Sequence, residues 1–316
     1  MKEFEIIDHC LACGSQDLEL KLDLTTQALA NNYIDNLQID EPRFPLAVNL
    51  CQDCFHLQLT HAVNPELIYK HYLYVSGTSQ TGREHFEWFA RFAKEHMDYW
   101  PSTVLDIGCN DGSQLDAFKS LGYETYGIDP AENLYPASSE RHSVVCGFWN
   151  EETANKLGKT FDVITSQNAF AHIPDPLSYL KLAAQYLKYD GKIFISTSQA
   201  DMVPNGEFDT IYHEHISYYN AYSMKCLAER AGLYLVDVVK TPIHGTSYIF
   251  VLAKRPANEQ RIRNILSMER AIGLQNPTTY INWARGVCKL IIDLKEQINI
   301  YRDNGYTIVG YGAAAK

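Results

Sequence analysis

Residues Phe208-Asp-Thr-Ile-Tyr-His-Glu-His215 bring two imidazoles, a phenol and two carboxylates into eight consecutive positions. These side chains move protons near neutral pH. Such a run can supply a general base and a hydrogen-bond donor, a metal site through His213, Glu214 and His215, or a polar surface turn. Histidines two apart suit a strand, and no distant third ligand declares itself. A second group is Cys10-Leu-Ala-Cys13 with Cys51-Gln-Asp-Cys54. Two C-x-x-C knuckles offer four thiolates, the donor set of a tetrahedral structural zinc. Gly14 suits the tight turn that aims N–H groups at sulfur. Four thiolates close the shell, so this centre is a staple with no position left for catalysis.

The elements that would position the proton-active run read as a nucleotide-type fold. Arg83 to Asp98 has Phe86, Phe89, Ala90 and Ala93 on one helical face and stops before Pro101. Thr103-Val-Leu-Asp-Ile107 is a short buried strand. Gly108-Cys-Asn-Asp-Gly112 turns into a helix from Ser113, and a second strand ends at Asp129, spaced to accept ribose hydroxyls. Asp106 inside the first strand separates the alternatives. Dinucleotide turns keep glycines so that pyrophosphate can approach. S-adenosylmethionine has no phosphate but carries an ammonium and a sulfonium, which an acidic group favours. The turn therefore points to S-adenosylmethionine.

Further strands at Phe161–Ser166 and Gly191–Ser196, with a helix from Leu177 to Leu187 between them, predict an α/β, doubly wound, Rossmann-like parallel sheet. Ligands of such sheets lie beyond the C-terminal strand ends. That places Asp106, Gly108, Asn110, Asp111, Gly112, Asp129, Phe148, Trp149, Gln167 and Asn168 around one crevice. Phe148 or Trp149 could stack on adenine or pack in the core. The tyrosines of Tyr69-Lys-His-Tyr-Leu-Tyr74 suit packing between lobe and core as well as ligand contact.

His172 follows the fourth strand of the sheet, and the Tyr212–His215 run follows the fifth by a long loop on the same edge. Methylating carbon requires loss of a proton first, and beside a ketone this leaves an enolate that needs a base and a donor. His215 fits the base, Tyr212 the donor, and Glu214 a group that orients imidazole or substrate.

The bulk numbers frame this reading. The 316 residues are 46% hydrophobic and 21% charged, enough for two or three domains with their own cores. We expect a zinc lobe over 1–75, a methyltransferase domain over 76–255, and a helical C-terminal segment over 256–316. A net charge of -11 argues against nucleic acid as partner. No secretory leader or membrane-length apolar run is visible, so a reducing cytoplasm is expected.

Together these motifs resemble the sugar C-methyltransferases of deoxysugar biosynthesis. The match runs through the four cysteines, Ile107-Gly-Cys-Asn-Asp-Gly-Ser113, Gly127-Ile-Asp-Pro-Ala131, Ala171-His-Ile-Pro174, Phe208–His215 and His244-Gly245. The resemblance implies zinc on the cysteines, S-adenosylmethionine in the middle domain, and a nucleotide-linked keto-sugar such as a dTDP-sugar as substrate. It implies catalytic roles for Tyr212, Glu214, His215 and His172, with His213, His244 and Gly245 beside the substrate.

The chain departs from the family pattern at Ser196-Thr-Ser-Gln199, in place of a Glu-x-Pro-Tyr run, and at His244-Gly-Thr-Ser-Tyr-Ile249, which lacks an arginine. Helices near Asn258–Ala271 and Tyr280–Tyr301 lead to a strand and glycine turn from Thr307, the opening of a truncated or vestigial Rossmann-like third domain. Two rival functions share these residues: an O- or N-methyltransferase of another small acceptor, and a non-catalytic zinc and S-adenosylmethionine module.

Overall fold

In a computed structural model, described over residues 3–32, 41–197, 200–243 and 246–310, the N-terminal strands form an antiparallel lobe. β1 (Phe4–Ile6), β2 (Leu18–Ala28), β3 (Arg43–Cys51), β4 (Leu57–Leu59) and β5 (His61–Val63) precede the first long helix. β3 buries Phe44, Leu46, Val48 and Leu50 at alternate positions, the period of a strand with one covered face. That face packs on Tyr280, Trp283 and Val287 of the C-terminal helix Pro277–Asp303.

The knuckles close the lobe's far end. The sulfurs of Cys10, Cys13, Cys51 and Cys54 all lie within 4.8 Å of one another, with Cys10–Cys54 and Cys13–Cys51 at 3.5 Å. Zinc–sulfur bonds of about 2.3 Å in a tetrahedron would put sulfurs about 3.8 Å apart, so the donors fit that ion. Gly14 turns at φ 83° and Phe55 takes the equivalent left-handed turn at φ 56° after the second knuckle. The Cys13 N–H points at the Cys10 sulfur at 3.4 Å.

The sheet of the larger domain follows: β6 (Thr103–Ile107), β7 (Glu124–Asp129), β8 (Ser143–Cys146), β9 (Phe161–Gln167) and β10 (Leu187–Thr197), then β11 (Ser217–Tyr218), β12 (Tyr234–Thr241) and β13 (Ser247–Ala253). Its order is β12-β13-β10-β9-β6-β7-β8. β6 to β10 pair in parallel, whereas β13 runs antiparallel to both neighbours. The expected parallel sheet thus carries an antiparallel hairpin on one side. β6 and most of β9 are buried on both faces, which is why each reads as an unbroken apolar run.

β11 leaves this sheet and joins the lobe, pairing Ser217 with Gln58 and Tyr218 with Leu57. Just before it, the Ile216 N–H donates to the Ala171 carbonyl at 2.7 Å, and the Ile216 carbonyl accepts from the Leu59 N–H at 2.8 Å. One residue therefore ties the lobe to the loop after β9. Cys10, Cys51 and Cys54 share a core with Phe170, Tyr219 and Met224, so the staple is continuous with the larger domain.

Two expectations shift. The first helix spans Gln80–Glu95, because the Ser79 hydroxyl caps Gly82 N–H, and it ends where His96 Nδ1 turns back onto the Phe92 carbonyl, well before Pro101. The strand expected from Thr307 is absent from the described residues 306–310. Ile308 and Val309 are exposed there, and among the described residues no strand pairs with them. No helix among the described residues is long and apolar enough to cross a membrane.

Because the thiolates sit in the shared core, stripping the metal is expected to lower one melting transition of the whole chain by about 10 °C or more. Differential scanning calorimetry with and without a chelator checks this. A separate low-temperature transition for the lobe would refute the shared core.

Candidate active site

The turn after β6 wraps the end of a cavity of about 430 Å³. Gly108 sits at φ 86° with its Cα against Ala169, where a Cβ would meet the alanine methyl at 2.6 Å. The Asn110 N–H donates to Asp129 Oδ2 at 2.7 Å, while Ala131 N–H donates to Oδ1 at 2.8 Å. Burial pushes the Asp129 carboxyl up against these two donors. Asp106 is 2% exposed, and its Oδ1 accepts from the Thr165 hydroxyl at 2.8 Å. Burial raises its pKa to about 7, the Thr165 hydrogen bond opposing and the Asp129 charge adding.

Asp106, Gly108, Asn110, Asp129, Phe148, Trp149, Gln167 and Asn168 all line this cavity. Two residues expected there do not. Asp111 turns its carboxylate to Gly77 N–H and to the Ser113 hydroxyl, and Gly112 provides the left-handed step before helix Ser113–Ser120, against His142. Both shape the turn from behind. Asn110 also holds the preceding segment in place, accepting from Ser76 N–H and donating to the Tyr74 carbonyl. Trp149 is pinned by its indole N–H on the Tyr179 carbonyl, which leaves Phe148 as the more exposed ring of the pair.

At the other end of the cavity stand Tyr69, Tyr72 and His172. His172 stacks on Tyr69 at 5.3 Å and 8°, and on His215 at 5.3 Å and 28°. Tyr212 follows at 4.4 Å from His215. Tyr212 and His215 are buried one ring behind His172. His215 Nδ1 faces the Thr210 carbonyl at 3.0 Å, so Nδ1 carries the proton and Nε2 keeps a lone pair, 3.1 Å from the Tyr212 hydroxyl. Burial first, then the Glu214 charge, raises the Tyr212 pKa, so this phenol stays a donor.

Glu214 accepts from the Tyr72 hydroxyl at 2.7 Å and from the Asn31 amide at 2.8 Å. It borders a second cavity of about 230 Å³, which Tyr72 shares with the first. His213 also borders it, its Nε2 3.2 Å from the Phe44 carbonyl and its pKa lowered by burial. The loop is thereby pinned to the lobe. The four cysteines are the sole His/Cys/Asp/Glu group among the described residues clustered tightly enough for a metal. His244 and Gly245, which follow Ile243 in the chain, and Ser198 and Gln199 lie outside the described residues.

Sequence reasoning missed Asn31 and left Tyr69 and Tyr72 between packing and ligand contact. The tyrosine-rich run ahead of the small-residue loop at Ser76 was the available signal for the tyrosines, while nothing local marks Asn31.

Comparison with known proteins agrees with this arrangement. A family model described as "Methyltransferase domain" matches residues 78–238, one described as "Putative zinc binding domain" matches 10–69, and one described as "C-methyltransferase C-terminal domain" matches 242–316. The C-methyltransferase NovU of Streptomyces niveus is 29% identical over 98% of this chain and 76% of its own length. A ubiquinone biosynthesis O-methyltransferase of Idiomarina loihiensis is 34% identical over 34% of this chain and 46% of its own. Among solved structures, a S-adenosylmethionine-dependent methyltransferase from Clostridium acetobutylicum covers 54% of this chain and 91% of its own at 13% identity and a TM-score of 0.45. The first two domain matches fall on the lobe and the sheet described above, in chain order, and the chain belongs to the zinc-binding family of S-adenosylmethionine-dependent C-methyltransferases.

Proposed function

We propose that this C-methyltransferase acts on a carbon beside the ketone of a nucleotide-linked keto-sugar, with His215 as the base. The observation that carries the reading is the ring stack Tyr69–His172–His215–Tyr212 at the end of the cofactor cavity. S-adenosylmethionine supplies an electrophilic methyl on a sulfonium that leaves as a neutral sulfide. The chain's residues supply the rest. His215 Nε2 takes the proton from carbon, and its Nδ1–H on Thr210 fixes the tautomer throughout. Tyr212 turns its O–H from Nε2 to the developing enolate oxygen. With the cofactor bound, its methyl would be the electrophile for the enolate carbon, and the imidazolium returns its proton to solvent. Glu214, held by Tyr72 and Asn31, contacts the sugar from the second cavity, where His213 lies.

A second assignment of the base, to His172, is favoured by one observation: His172 lines the cofactor cavity and His215 does not. Solvent exchange separates the two. With S-adenosylhomocysteine bound and a panel of dTDP-keto-sugars in deuterium oxide, wild type is expected to wash deuterium into the acidic carbon. His215→Gln is expected to slow that exchange by about 100- to 10,000-fold, and Tyr212→Phe by about 10- to 100-fold. Full exchange in His215→Gln with loss in His172→Gln would move the base to His172. No exchange into any keto-sugar in wild type would sink the substrate class.

The electrostatics of Asp106 give a pH test of cofactor binding. Its folded pKa is raised to about 7, so below that pH the carboxyl is neutral and cannot pair with the ammonium of the cofactor. S-adenosylhomocysteine affinity is expected to fall as pH drops through about 7, by up to about tenfold per unit. Asp106→Asn is expected to bind weakly with a flat profile. Calorimetric titration across pH 5.5 to 8.5 reads both, and an unchanged slope in the variant would remove Asp106 from this role.

A further inference from the structure

Three polar side chains outside the base–phenol stack form a line beneath the cofactor cavity. His85, on helix Gln80–Glu95, places Nε2 3.0 Å from Gln167 Oε1, at the end of β9. The amide oxygen only accepts, so His85 Nε2 carries the proton. Gln167 then presents its Nε2 as a donor, and it meets Gln114 Oε1 on helix Ser113–Ser120. That contact leaves the Gln114 Nε2 as the end of the chain. It is buried without a hydrogen-bond partner, on a residue 4% exposed that lines the cavity. A buried amide donor with no acceptor is uncommon and calls for an acceptor that the protein does not supply.

The cavity's charge balance says which acceptor. The amino-acid end of the cofactor carries an ammonium and a carboxylate. Asp106 can take the ammonium but repels the carboxylate. Among the described residues no lysine or arginine lines the cavity, so the carboxylate must be met by neutral donors. Three elements converge to present such a donor on helix Ser113–Ser120, which follows the turn where Gly108 brings the backbone close to the ligand. Resting on the S-adenosylmethionine assignment, we propose that the Gln114 amide N–H binds the methionyl carboxylate of the cofactor, with Gln167 and His85 as positioning residues that hold the amide in its donor orientation.

The test compares two ligands by calorimetry on the full chain. S-adenosylhomocysteine carries the amino-acid end, while 5′-methylthioadenosine fills the adenosyl part alone. Gln114→Leu is expected to weaken S-adenosylhomocysteine by about 10- to 100-fold and to change 5′-methylthioadenosine by no more than about twofold. His85→Phe keeps the ring bulk but removes the anchor, and is expected to weaken S-adenosylhomocysteine by about 3- to 10-fold with the same selectivity. His85→Gln, which restores an N–H, is expected to recover most of that loss. If Gln114→Leu does not fold, Gln114→Glu keeps the shape and the acceptor for Gln167 while setting carboxylate against carboxylate, and the same selective loss is expected. Equal weakening of both ligands, or of neither, overturns the proposal. Wild type that binds neither ligand would sink the cavity assignment and this inference with it, whereas failure of the keto-sugar reading alone leaves these affinities unchanged.

Discussion

The rest of the site depends on the backbone of Ile216. Its N–H is held by Ala171, next to His172, and its carbonyl holds Leu59 in the lobe. The two following residues extend the lobe's sheet as β11. These bonds fix the distance between two rings from different elements, His172 after β9 and His215 before β11. Neither ring could keep the stack alone, because a loop residue has no lattice of hydrogen bonds to set its direction. The strand pairing supplies that lattice from another sheet.

This constraint explains why a zinc lobe accompanies the catalytic fold. The thiolate cluster lies far from the chemistry in role but shares a core with Phe170 and Tyr219, one on each side of the tie. Leu11 N–H and the His9 carbonyl are both bound by the Gln58 side chain, and Gln58 is the residue that pairs with Ser217. A rigid knuckle therefore fixes β4, β4 fixes β11, and β11 aims His215. The same lobe brings Asn31 to Glu214, so that one end of the acidic loop is held by a side chain 183 residues away.

Some of this was legible in the sequence and some was not, for physical reasons. The knuckles were readable because thiolate geometry demands close spacing within each pair. The strands through Thr103 and Phe161 were readable because burial on both faces leaves an unbroken apolar run. The turn from Gly108 to Gly112 was read one step too generously. A turn's backbone faces the ligand at some residues and the protein at others, and Asp111 and Gly112 are on the protein side. β11 left no periodic signal, since two residues show no alternation. Tyr72 and Asn31 act on Glu214 across 142 and 183 residues, a separation that only the fold brings together.

The charge pattern follows from the same architecture. Two carboxylates, Asp106 and Glu214, are almost fully buried at opposite ends of the site. A buried carboxylate must be hydrogen-bonded, matched by a cation or neutralised. Glu214 is met by a phenol and an amide within the protein, and burial first, then the Glu214 charge, keeps Tyr212 and Tyr72 protonated. Glu214 is thus balanced by the fold. Burial raises the affinity of Asp106 for a proton, against the Thr165 hydroxyl that donates to it. Asp106 has no lysine or arginine beside it among the described residues that line the cavity, so on the proposed reading the glycine turn takes the cationic ligand and the ring stack at the other end takes the acceptor.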